Sequence, residues 1–255
     1  MTYQYLRLEI HPPIATIYLD RPPDNLLSID MMEEINTALL TIRRQPSVGV
    51  LVLRGNSRVF SKGIDLSEHT RDRIQRLFQV YARIFETIRL MDVIAVAAVE
   101  GEALGGGFEL CLGCNLVVAS ESATFALPDI AHGVIPPIAC IVLPRVVPRR
   151  RAMEWILTGN RIPVELLHSD GLVNRIFPAG EFEEGLAAFL KDLTSKSAPV
   201  LQLAKRAQSE AYYATYEEAL YKVQNIYLRD LMELEDVQEG VRAFLEGRAA
   251  VWHHR

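Results

Sequence analysis

Short apolar runs alternate with stretches of helical periodicity over the first two thirds of the chain, and this pattern limits the possible folds most strongly. The runs at 48–53 and 93–99 are typical of strands covered on both faces, and a further run lies at 116–119. Between the first two runs, residues 71–90 carry apolar side chains at helical spacing. Strands that alternate with helices imply right-handed crossovers and helices packed on the faces of a sheet. The pattern predicts an α/β core.

The start of the chain predicts two strands before this alternation begins. Apolar-rich residues 6–10 and 14–19 are separated by a His-Pro-Pro sequence, which is typical of a turn. A helix follows to about Arg44, and either Ser28 or Asp30 could cap its first turn.

The last third of the chain is predicted to be mostly helical, with one short strand at 173–177. The helices are expected at 137–147, 152–158, 164–169, 182–195, 200–213, 215–232 and 237–246. We therefore expect an α/β core over residues 1–195 that holds the functional site, and a helical region over 196–255.

Composition excludes several classes of function. The 32 acidic residues outnumber the 27 Lys and Arg, which argues against a protein that coats nucleic acid. The longest apolar run has seven residues, far fewer than the roughly 20 needed to span a bilayer. Neither a nucleic-acid partner nor a membrane is therefore expected. The three cysteines and the lack of an apolar signal core predict a reducing, cytoplasmic location.

Three consecutive glycines, Gly105–Gly107, lie between a predicted strand and a predicted helix. They allow a ligand to approach the backbone, and the N–H groups at the start of the helix would favour negative charge. Tight packing of the strand against the helix is an equal alternative. The spacing matches neither the dinucleotide fingerprint nor the P-loop.

Two carboxylates lie in apolar surroundings and are candidates for acid/base chemistry. Glu109 follows the glycines, and burial there would raise its pKa and suit it to proton transfer. An exposed glutamate is the simpler interpretation of the same residue. Asp129, after Pro128, could be an acid or only a cap. Two carboxylates from separate elements are what adding or removing water across a double bond requires.

The loop at residues 60–66 follows a buried strand and contains Gly63. An N–H presented here, with one from the triple glycine, would form a two-donor oxyanion hole. Asp65 could simply cap the next turn. His69 follows this loop and could face the pocket, but a surface position is expected. The Cys111-x-x-Cys114 pair lies on an apolar helix without a second pair, so we expect a structural role and no metal site.

Taken together, these residues resemble the crotonase, or enoyl-CoA hydratase/isomerase, superfamily over almost the whole chain. The segment GEALGGGFEL at 101–110 is the most specific match. The other matching segments are LDRP at 19–22 with Asn25, FSKGIDL at 60–66, residues 125–133, LTG at 157–159 and GLV at 171–173. The resemblance implies a spiral of ββα units, a helical C-terminal region, and a homotrimer or a hexamer made of two trimers.

The resemblance also implies an acyl-CoA thioester as the substrate and no separate cofactor. The backbone N–H groups of Ile64 and Gly106 would hold the thioester oxygen, and Glu109 and Asp129 would be the catalytic acids. The substrate would further contact Lys62, which could bind a CoA phosphate, and Gly63, Asp65, Leu66, Gly105, Pro136 and Pro137.

Two positions depart from the usual hydratase pattern. Asp129 is one methylene shorter than the glutamate normally found there. The glycine-rich run that normally follows is replaced by IPPIAC at 135–140. Pro137 has no N–H to offer a bound water, although it can begin a helix. This pattern resembles the cyclohexa-1,5-diene-1-carbonyl-CoA hydratases, which predicts a cyclic dienoyl substrate and a role in aromatic degradation.

Three functions remain open from the sequence. The first is hydration of an unsaturated or dienoyl thioester, which the second acid at Asp129 favours. The second is double-bond isomerisation, for which a single acid/base suffices. The third is a silent acyl-CoA-binding subunit, against which the presence of Glu109 argues.

Overall fold

The computed structural model describes residues 3–212 and 214–254. In chain order, the strands of this part of the chain are β1 (Leu6–His11), β2 (Ile14–Leu19), β3 (Val50–Arg54), β4 (Val59–Ser61), β5 (Ile94–Val99), β6 (Glu102–Leu104), β7 (Leu116–Ser120), β8 (Thr124–Ala126) and β9 (Arg175–Phe177). The α-helices are α1 (Ile29–Arg43), α2 (Ile74–Leu90), α3 (Gly106–Gly113), α4 (Pro137–Val146), α5 (Arg149–Thr158), α6 (Val164–Ser169), α7 (Phe182–Thr194), α8 (Ala198–Ala211), α9 (Tyr216–Asn225) and α10 (Glu235–Glu246).

The strands form two sheets that the chain visits in turn. The larger sheet has the order β1-β2-β3-β5-β7-β9, and the smaller has the order β4-β6-β8. Among the strand pairs of the described residues, β1 and β2 alone are antiparallel. Strands β3, β5 and β7 are each followed by a strand of the small sheet and then by helix. This repeat is the predicted spiral of ββα units, and the predicted fold class is confirmed.

The central strands are buried on both faces because helices cover both sides of the large sheet. Leu51 and Leu53 of β3 belong to the main core. The alternate residues Val50 and Val52 face the other way and pack with Phe182 of α7. Side chains of successive strand residues point to opposite faces, so a continuous apolar run is required here.

The predicted elements are largely present. Of the two candidate caps of α1, Ser28 is the one observed, since its side-chain oxygen accepts a hydrogen bond from the Met31 N–H. Two features differ from the prediction. The short strands β4, β6 and β8 were not predicted. The single helix predicted over 215–232 is divided, because α9 ends at Asn225 and a π-turn and a 3-10 turn follow.

The predicted helix at 200–213 corresponds to α8, but its predicted last residue, Tyr213, lies outside the described residues. The division into 1–195 and 196–255 stays a prediction. The structure describes residues 3–195 of the first region and residues 196–212 and 214–254 of the second. Within them, no helix combines the length and apolar character needed to cross a membrane.

Candidate active site

A cavity of about 780 Å³ opens where the small sheet ends. Strands β4, β6 and β8 run parallel, so their carboxyl ends present three loops at the same edge. Many of the predicted site residues line this cavity: Lys62, Gly63, Ile64, Asp65, Leu66, Gly105, Asp129 and Pro137. Glu109, Gly106 and Pro136 are not part of its lining.

The loop after β4 is held so that one backbone N–H stays free. Leu27 donates its N–H to the Gly63 carbonyl at 2.8 Å, and the Asp65 N–H donates to the Leu27 carbonyl at 3.1 Å. These bonds engage the residues on both sides of Ile64. The Ile64 N–H itself donates to no acceptor in the described part of the chain.

The N–H of Gly106 is also free among the described residues, because it belongs to the first turn of α3. A Cβ built at Gly63 would lie 3.2 Å from the Gly106 nitrogen, and one built at Gly106 would lie 3.3 Å from the Ile64 nitrogen. The φ of Gly63 is +103°, a conformation that side chains disfavour. The two loops therefore bring two free N–H groups together, as an oxyanion hole requires.

Both interpretations of the triple glycine apply, at different positions. A Cβ at Gly107 would lie 2.2 Å from the Ser61 carbonyl oxygen, so packing requires glycine there. A Cβ at Gly105 would lie 3.2 Å from Asp129 Oδ2 and would narrow the cavity. Packing explains the third glycine, and access to the cavity explains the first.

Glu109 is fully buried, so its simpler interpretation as an exposed residue is wrong. Its Oε1 accepts from the N–H groups of Ile138 at 2.6 Å and Ala139 at 2.7 Å, at the start of α4. Its Oε2 accepts from the Tyr81 hydroxyl at 2.5 Å. Burial raises the pKa of Glu109 to about 7, although these hydrogen bonds oppose the rise. The carboxyl group can therefore carry a proton near neutral pH.

Asp129 lies in the 3-10 segment Pro128–His132, and its carboxyl group reaches the cavity wall beside Gly105. Its Oδ2 is buried and has no hydrogen-bond partner in the described part of the chain. Burial raises the pKa of Asp129, and a backbone hydrogen bond and the electrostatic influence of His132 and His69 partly oppose the rise. Asp129 is thus a partly desolvated acid that faces the cavity.

Two charged residues of the cavity wall already have ionic partners. Lys62 Nζ lies 2.9 Å from Asp24 and 3.3 Å from Glu102. Asp65 pairs with Arg21 at 2.9 Å and also caps the next turn by accepting from Ser67. The simpler interpretation of Asp65 as a cap is therefore confirmed. The charge of Lys62 is already partly neutralised by two carboxylates, which would compete with a phosphate for it.

Two expectations about individual positions need correction. Pro136 is buried and caps α4 with extended backbone, so Pro137 alone of the pair reaches the cavity. His69 lines the cavity, so the preferred surface position is wrong and the alternative that it faces the pocket is confirmed.

Sequence reasoning also missed residues that complete the site. Tyr81 lies on α2, and its helical spacing indicated only a core position. The same helix supplies Ile74, Leu77 and Phe78 to the cavity wall.

The described residues contain no group of three or more His, Cys, Asp or Glu side chains that could hold a metal ion. Cys111 is buried and its thiol contacts the Gly107 carbonyl.

Comparison with known proteins agrees with this geometry. The enoyl-CoA hydratase/isomerase family model matches residues 9–255. A probable enoyl-CoA hydratase of Rhizobium meliloti is 34% identical, with 100% of each chain covered. The crystal structure of the Bacillus anthracis enoyl-CoA hydratase superposes with a TM-score of 0.93 at 27% identity, covering 99% of this chain and 100% of that one.

Human enoyl-CoA hydratase domain-containing protein 3 gives a TM-score of 0.92 at 28% identity, with 98% and 100% coverage. The chain belongs to the enoyl-CoA hydratase/isomerase family of the crotonase superfamily. At that level, the prediction of an enzyme of the enoyl-CoA hydratase type is confirmed.

Proposed function

We propose that this enzyme adds water to the double bond of an unsaturated acyl-CoA thioester. The observation that carries the proposal is the pair of free N–H groups of Ile64 and Gly106 beside Asp129. The pair would hold the thioester oxygen as negative charge develops on it during addition. Loss of one such donor typically costs on the order of 100- to 1000-fold in rate.

In this proposal, Glu109 and Asp129 divide the proton transfers. Glu109 has a pKa of about 7 and can deliver a proton to the α carbon. Asp129 faces the cavity and can take the proton of the attacking water. Glu109 is not exposed in the cavity wall, but its partner Ile138 directly follows the wall residue Pro137. The charge of Asp129 contributes to the raised pKa of Glu109, so the two acids are close enough to interact.

The acyl group is proposed to be a cyclic dienoyl group. Support comes from the IPPIAC sequence at 135–140 and from Pro137, which both begins α4 and lines the cavity. A proline here leaves no N–H at this point of the wall and makes it apolar and rigid. Apolar side chains from α2, including Leu77 and Phe78, also line the cavity, which suits a hydrocarbon ring.

The CoA portion is proposed to lie over an adjoining cavity of about 470 Å³, which shares Leu26 and Asp65 with the first. Arg21 lines this second cavity, and Lys62 lines the first and pairs with Asp24 of the second. These two cations are the proposed contacts for the CoA phosphates. No cofactor beyond the substrate's CoA is proposed, and the cytoplasmic location stays a prediction.

Assembly into a homotrimer, or a hexamer of two trimers, is also proposed. The support is the exposure of large apolar side chains on the C-terminal helices, with Tyr216 77%, Phe244 84% and Leu245 78% exposed. Such exposure is typical of interaction surfaces. Light scattering after size-exclusion chromatography tests this proposal, and a monomer at micromolar concentration would refute it.

The first experiment measures thioester consumption by ultraviolet absorbance. Crotonyl-CoA and cyclohexa-1,5-diene-1-carbonyl-CoA are compared with the wild-type enzyme and with Glu109→Gln. Hydration of the diene that is lost in the variant supports the whole proposal. Preference for crotonyl-CoA keeps the hydratase assignment and refutes the cyclic substrate. Consumption of neither thioester refutes hydration of these substrates and favours an isomerase or a silent acyl-CoA-binding subunit.

A further inference from the structure

Phe78 of α2 lines two cavities at once. One is the active-site cavity of about 780 Å³. The other is a groove of about 650 Å³ along the same helix, called the α2 groove below. Its further lining residues are Gln75, Gln79, Ala82, Arg83 and Glu86. Among the described residues, Phe78 is the one that both linings share, so the two spaces meet at this residue.

The two spaces differ in chemical character. The other residues that α2 adds to the active-site cavity are the apolar Ile74 and Leu77. The residues of the α2 groove recur at spacings of three and four, so they form one face of the helix, and all except the partly buried Ala82 are exposed. Phe78 itself is 49% exposed. Its side chain therefore lies between an apolar cavity and a solvent-facing, largely polar helix surface.

The backbone at position 78 is held in place by its neighbours. Leu77, Val80 and Tyr81 of α2 are buried in the main core. The Val80 carbonyl also accepts a hydrogen bond from the side-chain amide of Asn36 on α1 at 3.0 Å. Because the helix is anchored on both sides of this position, the boundary between the two spaces depends on the size of the side chain at 78.

The proposed placement of the thioester leaves this wall to the acyl group. The thioester oxygen is proposed to lie at the N–H groups of Ile64 and Gly106, and CoA over the adjoining cavity that shares Leu26 and Asp65. The apolar residues of α2 are among the lining residues that remain, and they suit a hydrocarbon. An acyl chain that extends towards α2 would reach Phe78 before it could enter the α2 groove.

We propose that Phe78 is a specificity-determining residue that limits the length of the acyl group. The inference deepens the function proposed above, because it rests on an acyl-CoA substrate and assigns compact acyl groups, either rings or short chains, as its class. A compact group is covered by the cavity wall. A long straight chain would have to displace the aromatic ring or leave its last carbons in water, where they add nothing to affinity.

The neighbouring residues of α2 do not fit this role. Leu77 is 1% exposed and belongs to the core, so shortening it would leave a hole in the core. Ile74 lines the active-site cavity but not the α2 groove. Phe78 is half exposed, so its replacement should cost little stability while it joins the two spaces.

The test measures binding and turnover against chain length. Isothermal titration calorimetry gives the Kd of butyryl-CoA and decanoyl-CoA, which are saturated and need no turnover. Absorbance gives kcat/KM for the corresponding trans-2-enoyl thioesters. The variants are Phe78→Ala and Phe78→Leu, with Gln79→Ala as the matched control, since Gln79 is exposed and lines the α2 groove alone.

Decanoyl-CoA should bind the wild-type enzyme no more tightly than butyryl-CoA does. Phe78→Ala should bind decanoyl-CoA about tenfold more tightly than wild type, because each methylene that becomes covered contributes up to about fourfold in affinity. The Kd of butyryl-CoA should stay nearly unchanged. The kcat/KM values should show the same shift towards the long chain. Phe78→Leu should give a smaller gain, which keeps the test usable if the alanine variant folds poorly.

A second-site variant tests the path of the chain. Ala82 lies one helical turn beyond Phe78 and lines the α2 groove. Ala82→Phe would fill the groove, so adding it to Phe78→Ala should abolish the gain for decanoyl-CoA. A gain that persists in the double variant refutes entry of the chain into the groove.

Three further outcomes would overturn the inference. Wild-type enzyme that binds decanoyl-CoA much more tightly than butyryl-CoA is not closed at Phe78. An equal change for both chain lengths in Phe78→Ala indicates only altered packing, and an equal gain in Gln79→Ala excludes a specific role. Wild-type enzyme that shows the expected limit in binding but hydrates no unsaturated thioester refutes the proposed function and leaves the role of Phe78 supported.

Discussion

The buried carboxyl of Glu109 should make the stability of this protein depend on pH in a way that one substitution removes. The pKa of Glu109 is about 7 in the folded chain, against 4.5 for an ordinary glutamate, because burial disfavours its charge. The protonated carboxyl group therefore contributes its full share to the free energy of unfolding below pH 4.5, and this contribution is lost as pH rises through about 7. At about 1.4 kcal/mol per pH unit, the loss amounts to about 3 kcal/mol by pH 8.

Glu109→Gln removes this titration and keeps the shape of the side chain. Relative to wild type, the variant should therefore gain about 3 kcal/mol in unfolding free energy between pH 4.5 and pH 8. Urea unfolding, followed by tryptophan fluorescence at one fixed protein concentration, measures the difference at both pH values. Comparing the two proteins at each pH cancels the titration of the remaining carboxyls.

Two further variants make the measurement decisive. Glu86→Gln lies at an exposed position of α2 and controls for the loss of a charge alone. Tyr81→Phe removes the donor to Glu109 Oε2 and should raise the pKa of Glu109 further, at a cost of about 1.5–3 kcal/mol at pH 8. A stability difference between wild type and Glu109→Gln that is the same at pH 4.5 and pH 8 would refute the reasoning.

Three other substitutions test the framework of the site. Gly63→Ala should lower hydration on the order of 100-fold, because φ is +103° and the new Cβ would press on the Gly106 nitrogen; steady-state kinetics with unchanged rates would contradict this. Asn25→Ala should cost about 2–4 kcal/mol in urea unfolding, since the buried amide donates to the Phe60 carbonyl at 3.0 Å and accepts from Arg21; a loss below 1 kcal/mol would show that the loop is held otherwise. Lys205→Met should cost about 2–3 kcal/mol, because the ammonium donates to three carbonyls at and just beyond the end of α2; a thermal scan showing no fall in Tm would exclude that role.

Local sequence predicted the long elements well because each carries its own signal. The helix α2 repeats apolar residues at helical spacing, and β5 is a continuous apolar run of six residues. The short strands β4, β6 and β8 have three residues each, too few for any period to be recognised. They were missed although the loops that follow them form the site.

The motifs of the two loops that carry the proposed oxyanion hole could be recognised because their glycines are visible in the sequence. Nothing in the sequence shows where a side chain lies relative to the cavity. In the sequence, Tyr81 is one more apolar position of an amphipathic helix. Its polar role is shown only by the hydrogen bond that its hydroxyl donates to Glu109. His69 likewise carries no local signal that distinguishes a cavity wall from a surface.

The sequence by itself determined the alternation of strands and helices and, through its resemblance to known motifs, the family and the candidate acid and oxyanion residues. The alternation follows from periodicity and the motifs from residue types at fixed spacing, which are local properties of the chain. The tertiary structure alone decided that Glu109 is buried, that Ile64 and Gly106 leave their N–H groups free, and that His69 and Asp129 line the same cavity. Burial, unmet hydrogen bonds and raised pKa values arise from contacts between segments far apart in sequence, so no single segment contains them.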